Sequence, residues 1–355
     1  MRIPPPSYAR LTDAHRRGDH LLVLAEGDAT LAALAADPTT DDLARTVACI
    51  LGSVHAAQER FAIGASYLEY GLATDPPDDP AVAGAPPASP STTRDWYALV
   101  LLDLHLKLGR YDDALAAVTP LLEPARAPDI RFAATRAQSA IATARGDYET
   151  AHFLLNTATG LALRIRSRFR SALVDGDRAI LLATQGRLYE GIGLADRVLT
   201  SFVRPAIGDY QNWGNTEGAA IAMSISRAAA GAGDQLTAQR MLIQGTTAAE
   251  RVPSIYLKAH LDLTRGVFWS AERSFDAAEA ALLDAQRGFE LLGCEPAMAV
   301  TTLEQGRLAH RRGLTLSAEP LYQRALAELR PLGHAREIGE TRRLLAALAQ
   351  QTSAS

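Results

Sequence analysis

Lysine, cysteine and aromatic side chains are scarce in this sequence, and each scarcity removes a class of function. Lysine occurs only at Lys107 and Lys258, so nearly all of the 36 basic residues are arginines, set against 40 acidic residues for a net charge of −4. Such a chain lacks the basic footprint of a nucleic-acid binder, and no segment outside its main pattern is long enough for a separate helix-turn-helix. Cys49 and Cys294 stand far apart without metal-type spacing, and read as buried free thiols in a reducing compartment. No apolar run reaches the ~18 residues of a membrane span, and Pro4, Pro5 and Pro6 fall where a signal peptide needs its apolar core. A cytoplasmic protein without a membrane role is the expectation. Val, Ile and Thr never alternate over a long run, which predicts almost no sheet.

Catalytic signatures are missing as well. There is no GxxxxGK[ST], no GxGxxG, no HExxH, no GxSxG and no CxxC. His55, His105, His152 and His310 are each alone on their predicted helices, where a packed or solvated role is the ordinary one. No cofactor and no metal are expected.

What the chain has in abundance is alanine and leucine in a repeating arrangement. The unit is clearest at 95–123, DWYALVLLDLHLKLGRYDDALAAVTPLLE. Trp96, Leu99, Leu102 and Leu106 form an apolar stripe at helical spacing, Gly109 breaks it, and Tyr111 and Ala114 open a second helix. The small residue that follows each turn recurs at Gly64, Ala114, Ala151, Gly191, Ala238, Ala278 and Ala318, with Val23 as a weaker first member; the spacings are 41, 50, 37, 40, 47, 40 and 40. Twelve residues earlier stand Gly52, Leu102, Ser139, Ala179, Ser226, Gly266 and Gly306, small in every case but Leu102. Two columns of small residues in one register predict paired helices that cross closely at those points.

This pattern resembles a tetratricopeptide repeat, with Gly109, Tyr111, Ala114 and Leu121–Leu122 on its later positions. Units of about 40 residues exceed the usual ~34, and are similar to the helical sensor portions of LuxR-type ATP-dependent regulators and the peptide-receptor halves of quorum-sensing regulators. The resemblance implies an all-α, right-handed solenoid of about eight helical hairpins forming a single domain over 1–355. Residues 7–38 read as a degenerate first hairpin, and 335–350 as an amphipathic capping helix whose outer face carries Arg336, Glu337, Glu340 and Arg343. The six prolines of 75–93 predict a flexible loop, and 201–218 an inserted loop in which Tyr210 and Trp213 serve as a plug or a lid.

In such a superhelix the first helix of each hairpin lines the groove. That places Trp96, Lys107, Arg136, Arg227, His260, Arg307, His310 and Arg311 on the inner surface, beside Met223 and Leu263. The arginines suit carboxylates, and the alternative is that they bond neighbouring Asp and Glu. The expected function is a non-enzymatic interaction or adaptor protein that holds a peptide, a protein segment or a small acidic ligand. The alternatives are a ligand- or signal-peptide-responsive sensor and, behind it, an enzyme using the groove as a cavity. If the small columns are crossing points, Ala151→Leu or Ala278→Leu should cost roughly 1–3 kcal/mol, seen as a lowered denaturation midpoint.

Overall fold

The computed structural model describes residues 6–73, 93–203 and 210–354. Among these there are helices and short 3-10 turns but no strand. The chain divides into two compact units, 1–134 and 135–355. Repeat arrays have no common core, since each hairpin packs mainly on its neighbours, so the chain can part within any unit of the series. The first unit holds α1 (Pro6–Arg16), α2 (His20–Ala35), α3 (Asp41–Ala57), α4 (Phe61–Leu72), α5 (Thr93–Leu108) and α6 (Tyr111–Val118). The boundary falls inside α7 (Pro128–Ala144). The second unit continues with α8 (Tyr148–Ile165), α9 (Arg168–Thr184), α10 (Leu188–Val203), α11 (Tyr210–Ala232), α12 (Gln235–Ala249), α13 (Ile255–Ala271), α14 (Phe275–Leu292), α15 (Glu295–Arg311), α16 (Thr315–Leu332) and α17 (Ala335–Ala354). Odd and even helices pair as hairpins, and α17 follows the eighth.

One backbone device makes every hairpin turn. Gly18, Glu59, Gly109, Gly146, Gly186, Gly233, Arg273 and Gly313 all take positive φ, between 59° and 82°. Each lies five residues before its hairpin's small position. The next residue's N–H donates to the carbonyl five positions back, as in Asp19 to Ala14, Arg110 to His105 and Leu314 to Ala309, each at 2.9 Å. This is the bond of a Schellman turn, which satisfies carbonyls that the helix end leaves open. In three turns the residue after the glycine is aspartate. Asp19, Asp147 and Asp234 each accept from the N–H three residues on, at 3.1 Å, and so cap the second helix.

The two small columns meet where expected. The Ser139 hydroxyl donates to the Ala151 carbonyl at 3.3 Å, and Ser226 to Ala238 at 2.8 Å. A Cβ on Gly191 would lie 2.8 Å from the Ala179 carbonyl, so no side chain fits that crossing. Ala114, Ala151, Ala238, Ala278 and Ala318 are wholly buried. Cys49 and Cys294 are buried free thiols, and burial pushes the Cys49 thiol up to about 12.

First helices also pack on one another within the second unit, α9 on α11, α11 on α13 and α13 on α15. No comparable packing joins α10 to α12, α12 to α14 or α14 to α16 among the described residues. The first helices therefore form the inner layer of that unit's curve. The curve is tight enough that the turn at Gly146 approaches Ala335 at the start of α17, 3.2 Å from a Cβ built on the glycine.

Four expectations change. Of the loop assigned to 201–218, 201–203 end α10 and 210–218 form the first turns of α11; the rest lies outside the described residues, as does 74–92 of the proline-rich segment. Helix formation at 210–218 follows from tertiary packing of its C-terminal part, which overrides the weak propensity of Gly and Asn. On α5 the buried stripe is Tyr97, Leu101, Leu104 and Leu108 with Leu102, while Trp96 is exposed. Met223 and Leu263, assigned to the inner surface, are buried in the core; helix-to-helix packing on both sides of the inner layer covers them. The charged stripe of α17 is not wholly outward, because Glu337 and Glu340 are half-buried.

The turn analysis makes a direct prediction. Arg273, exposed and at φ 60°, occupies a site that six of the eight turns give to glycine. Arg273→Gly should stabilise the protein by roughly 0.5–1 kcal/mol. Gly233→Ala should destabilise it by a similar amount, both read from denaturant midpoints.

Candidate functional site

The arginines assigned to the inner surface reach from one hairpin to the next. Arg136 on α7 forms a two-pronged ion pair with Asp177 on α9, Nε to Oδ2 at 2.6 Å and Nη2 to Oδ1 at 2.9 Å. It also donates to both carboxylate oxygens of Glu217 on α11, at 3.4 and 3.3 Å. Arg227 on α11 donates to the Thr264 hydroxyl on α13 at 2.9 Å. Arg307 on α15 bonds Glu304 on its own helix and Glu340 on α17. Arg311 donates to the Ser270 hydroxyl on α13 at 2.8 Å. The separations in sequence, 41 for Arg136–Asp177, 37 for Arg227–Thr264 and 41 for Arg311–Ser270, are one repeat, and the 81 of Arg136–Glu217 is two.

Electrostatics separates these arginines into kinds. Burial alone would lower the pKa of Arg136, but Asp177 and Glu217 outweigh it and raise it. Arg307 follows the same balance with Glu304 and Glu340. Burial pushes Asp177 above the usual carboxylate range, with Arg136 opposing. Arg227 goes the other way. Burial lowers its pKa, Glu304 and Tyr256 oppose that shift, and Arg336 adds to it. Arg311 is exposed, so water solvates it.

Two of the assigned histidines pack on aromatic rings. His260 packs between Tyr256, ring centres 4.5 Å apart, and the buried Phe289 of α14 at 4.8 Å. His310 lies edge-on to Tyr322 of α16, with Nδ1 3.5 Å from the phenol oxygen. Both rings contact the second helix of their own hairpin. Trp96 and Lys107 belong to the first unit. There Trp96 is exposed and touches Tyr97, while Lys107 pairs with Asp103 at 2.5 Å and lies 5.0 Å over the Phe61 ring. Tyr210 and Trp213 fall on the first turns of α11.

Sequence reasoning missed Asp177, Glu217, Thr264, Ser224, Glu304 and Glu340 as partners of these arginines. The available signal was an acidic or hydroxyl residue about one repeat from an inner arginine, or three positions before it on the same helix, as Ser224 and Glu304 are. Among the described residues, no three His, Cys, Asp or Glu side chains gather as a metal site requires, and no helix is long and apolar enough to cross a membrane. Two surface clefts, of about 460 and 390 Å³, open at the hairpin turns beside Leu236 and Trp269 and beside Phe275 and Arg312. None of the inner-surface arginines lines either cleft.

The ion-pair geometry makes Arg136 structural. Arg136→Ala should cost roughly 2–4 kcal/mol near neutral pH by leaving two partly buried carboxylates unpaired. Asp177, already raised in the folded state, rises further without the guanidinium. A carboxyl with a raised folded pKa loses stability as pH increases, so the variant's deficit should shrink on moving from pH 8 to pH 5. Urea unfolding at the two pH values measures it.

No protein-family model matches this sequence, and no curated protein matches it. The structure is similar to the crystal structure of a Rap protein complexed with competence and sporulation factor, with a TM-score of 0.56 and 11% identity over 99% of this chain and 89% of that one. It is also similar to a tetratricopeptide repeat protein from Parabacteroides merdae, with a TM-score of 0.51 and 16% identity over 84% of this chain and 99% of the other. At these identities the likeness concerns the fold, and the paired helices, repeated Schellman turns and small-residue crossings agree with it: this chain has the tetratricopeptide-like helical-repeat fold.

Proposed function

We propose that this protein is a non-enzymatic receptor, and that it holds a peptide or an extended segment of a partner protein against the first-helix layer of its second unit. The observation that carries this reading is the inner layer itself. Polar side chains of α7, α9, α11, α13 and α15 face one another across successive hairpins there, within a curve tight enough to bring the Gly146 turn against Ala335. A peptide lying across that layer would meet side chains from several repeats at once, the way repeat folds use their concave surfaces. A similar fold occurs in the Rap protein complexed with competence and sporulation factor, and supports a binding role at that coarse level.

A second reading is favoured by the direction of the polar bonds. Arg136, Arg227 and Arg311 link neighbouring hairpins, so an occupant that competes for their partners would alter the packing of one hairpin on the next. The receptor would then be a sensor whose occupied and empty states differ in curvature.

Selection of peptides from a displayed random library on the intact full-length protein tests the receptor reading. A selected peptide should bind with a negative heat-capacity change in calorimetry. Ile180→Trp, three residues on from Asp177 on the first helix α9, should weaken its binding at least about tenfold, or about 1.4 kcal/mol. Leu283→Asp on the outer helix α14 should leave it unchanged. Binding lost in the outer variant and kept in the inner one would overturn the assignment.

A further inference from the structure

On the inner layer of the second unit, Arg227 is a half-buried cation that no carboxylate contacts among the described residues; Arg311, which also bonds a hydroxyl there, is exposed. Arg227 is half-buried, and its bonds go to two hydroxyls, Nη1 to Thr264 Oγ1 at 2.9 Å and Nη2 to Ser224 Oγ at 3.4 Å. A guanidinium has five N–H donors in a fixed fork, so most of them have no partner among the described residues. The Thr264 hydroxyl is fully committed: it gives its proton to the His260 carbonyl at 2.8 Å and accepts from Arg227, and it is completely buried. Thr264 therefore holds the guanidinium in place without supplying charge.

The contrast with the neighbouring arginines is specific. Arg136 and Arg307 each contact two carboxylates, whereas among the described residues no carboxylate touches Arg227. Glu304, the opposing charge that acts on Arg227, is already engaged by Arg307. A second arginine, Arg336 from the start of α17, acts on Arg227 as a repelling charge. Burial disfavours the charged state further. Holding an uncompensated cation away from water is costly, and a well-packed apolar side chain of similar size would usually serve stability better. The arrangement makes sense as a seat for an anion, with the free edge of the fork as its binding edge.

We infer that Arg227, held by Thr264 and Ser224, is the subsite that receives a carboxylate of the bound peptide. The inference deepens the receptor reading and rests on it. Two sources supply that group: the peptide's C-terminus, or an Asp or Glu side chain. Arg336 strengthens the local positive field.

The test uses the full-length protein and two variants, Arg227→Met and Arg227→Lys, with two pentapeptide mixtures as probes. One mixture lacks Asp and Glu and has free C-termini; the other contains Asp and Glu and is C-terminally amidated. Without peptide, Arg227→Met should raise the melting temperature by about 2–4 °C, because it removes an unpaired buried charge. At least one mixture should raise the wild-type melting temperature, and neither should raise that of Arg227→Met. Arg227→Lys, which keeps the charge but loses the fork, should retain a reduced shift. A response to the first mixture assigns the C-terminus, and a response to the second assigns an acidic side chain. Equal shifts in wild type and Arg227→Met, a shift with inorganic phosphate alone, no shift with any probe, or a lowered melting temperature for unliganded Arg227→Met would overturn the subsite. If a peptide selected from the library binds wild type and Arg227→Met equally, the subsite fails while the receptor reading stands.

Discussion

The close crossing of two helices at a small residue is the constraint on which the rest of this structure depends. Ser139 on Ala151, Ala179 on Gly191 and Ser226 on Ala238 bring backbone to backbone, with no room for a larger side chain. The crossing works only if the chain reverses at a set distance before it. The left-handed residue five positions ahead provides that reversal, and its N–H neighbour closes the turn onto the carbonyl five residues back. Turn and crossing are thus one device, repeated along the chain. Each copy buries its own apolar face and passes a similar face to the next.

Because the first helices of the second unit pack on one another and the second helices show no comparable packing among the described residues, that layer sits on the inside of a curve. Curvature then decides which polar residues meet. An inner side chain lies beside one from the neighbouring hairpin, a repeat later or earlier, and this is why Arg136 finds Asp177, Arg227 finds Thr264 and Arg311 finds Ser270. The result is a polar ladder with a mixed content. Where the next repeat offers carboxylates, the arginine becomes a strut between hairpins. Where it offers a hydroxyl, the arginine stays positioned and keeps its charge unspent.

Much of the fold was legible in advance. The spacing of Gly64, Ala114, Ala151, Gly191, Ala238, Ala278 and Ala318 carried the hairpin count and the crossing points, because both reflect local sterics that act within one hairpin. The site was less legible. Trp96 was read as part of the buried stripe of α5, yet it is exposed, since the helix is rotated to bury Tyr97, Leu101 and Leu104. His260 and His310 looked like inner-surface residues, yet both pack against second helices. The segment 210–218 looked like a loop from its Gly and Asn content, and became the first turns of the longest helix because its continuation packs on α9 and α13.

By itself, then, the sequence determined the helical repeat, its period, its turns and the small residues at each crossing. All of these follow from conformational limits and packing within about forty consecutive residues. Tertiary structure alone decided which arginine is neutralised. Arg136, Arg227 and Arg307 are alike as residues on a helix face, and their difference lies in what stands within bonding distance: carboxylates of two other hairpins for Arg136, Glu304 of its own helix and Glu340 of α17 for Arg307, and the hydroxyls of Ser224 on its own helix and Thr264 on the next hairpin for Arg227. Charge compensation acts through space over a few ångströms, and the chain brings those residues together only after its hairpins have stacked.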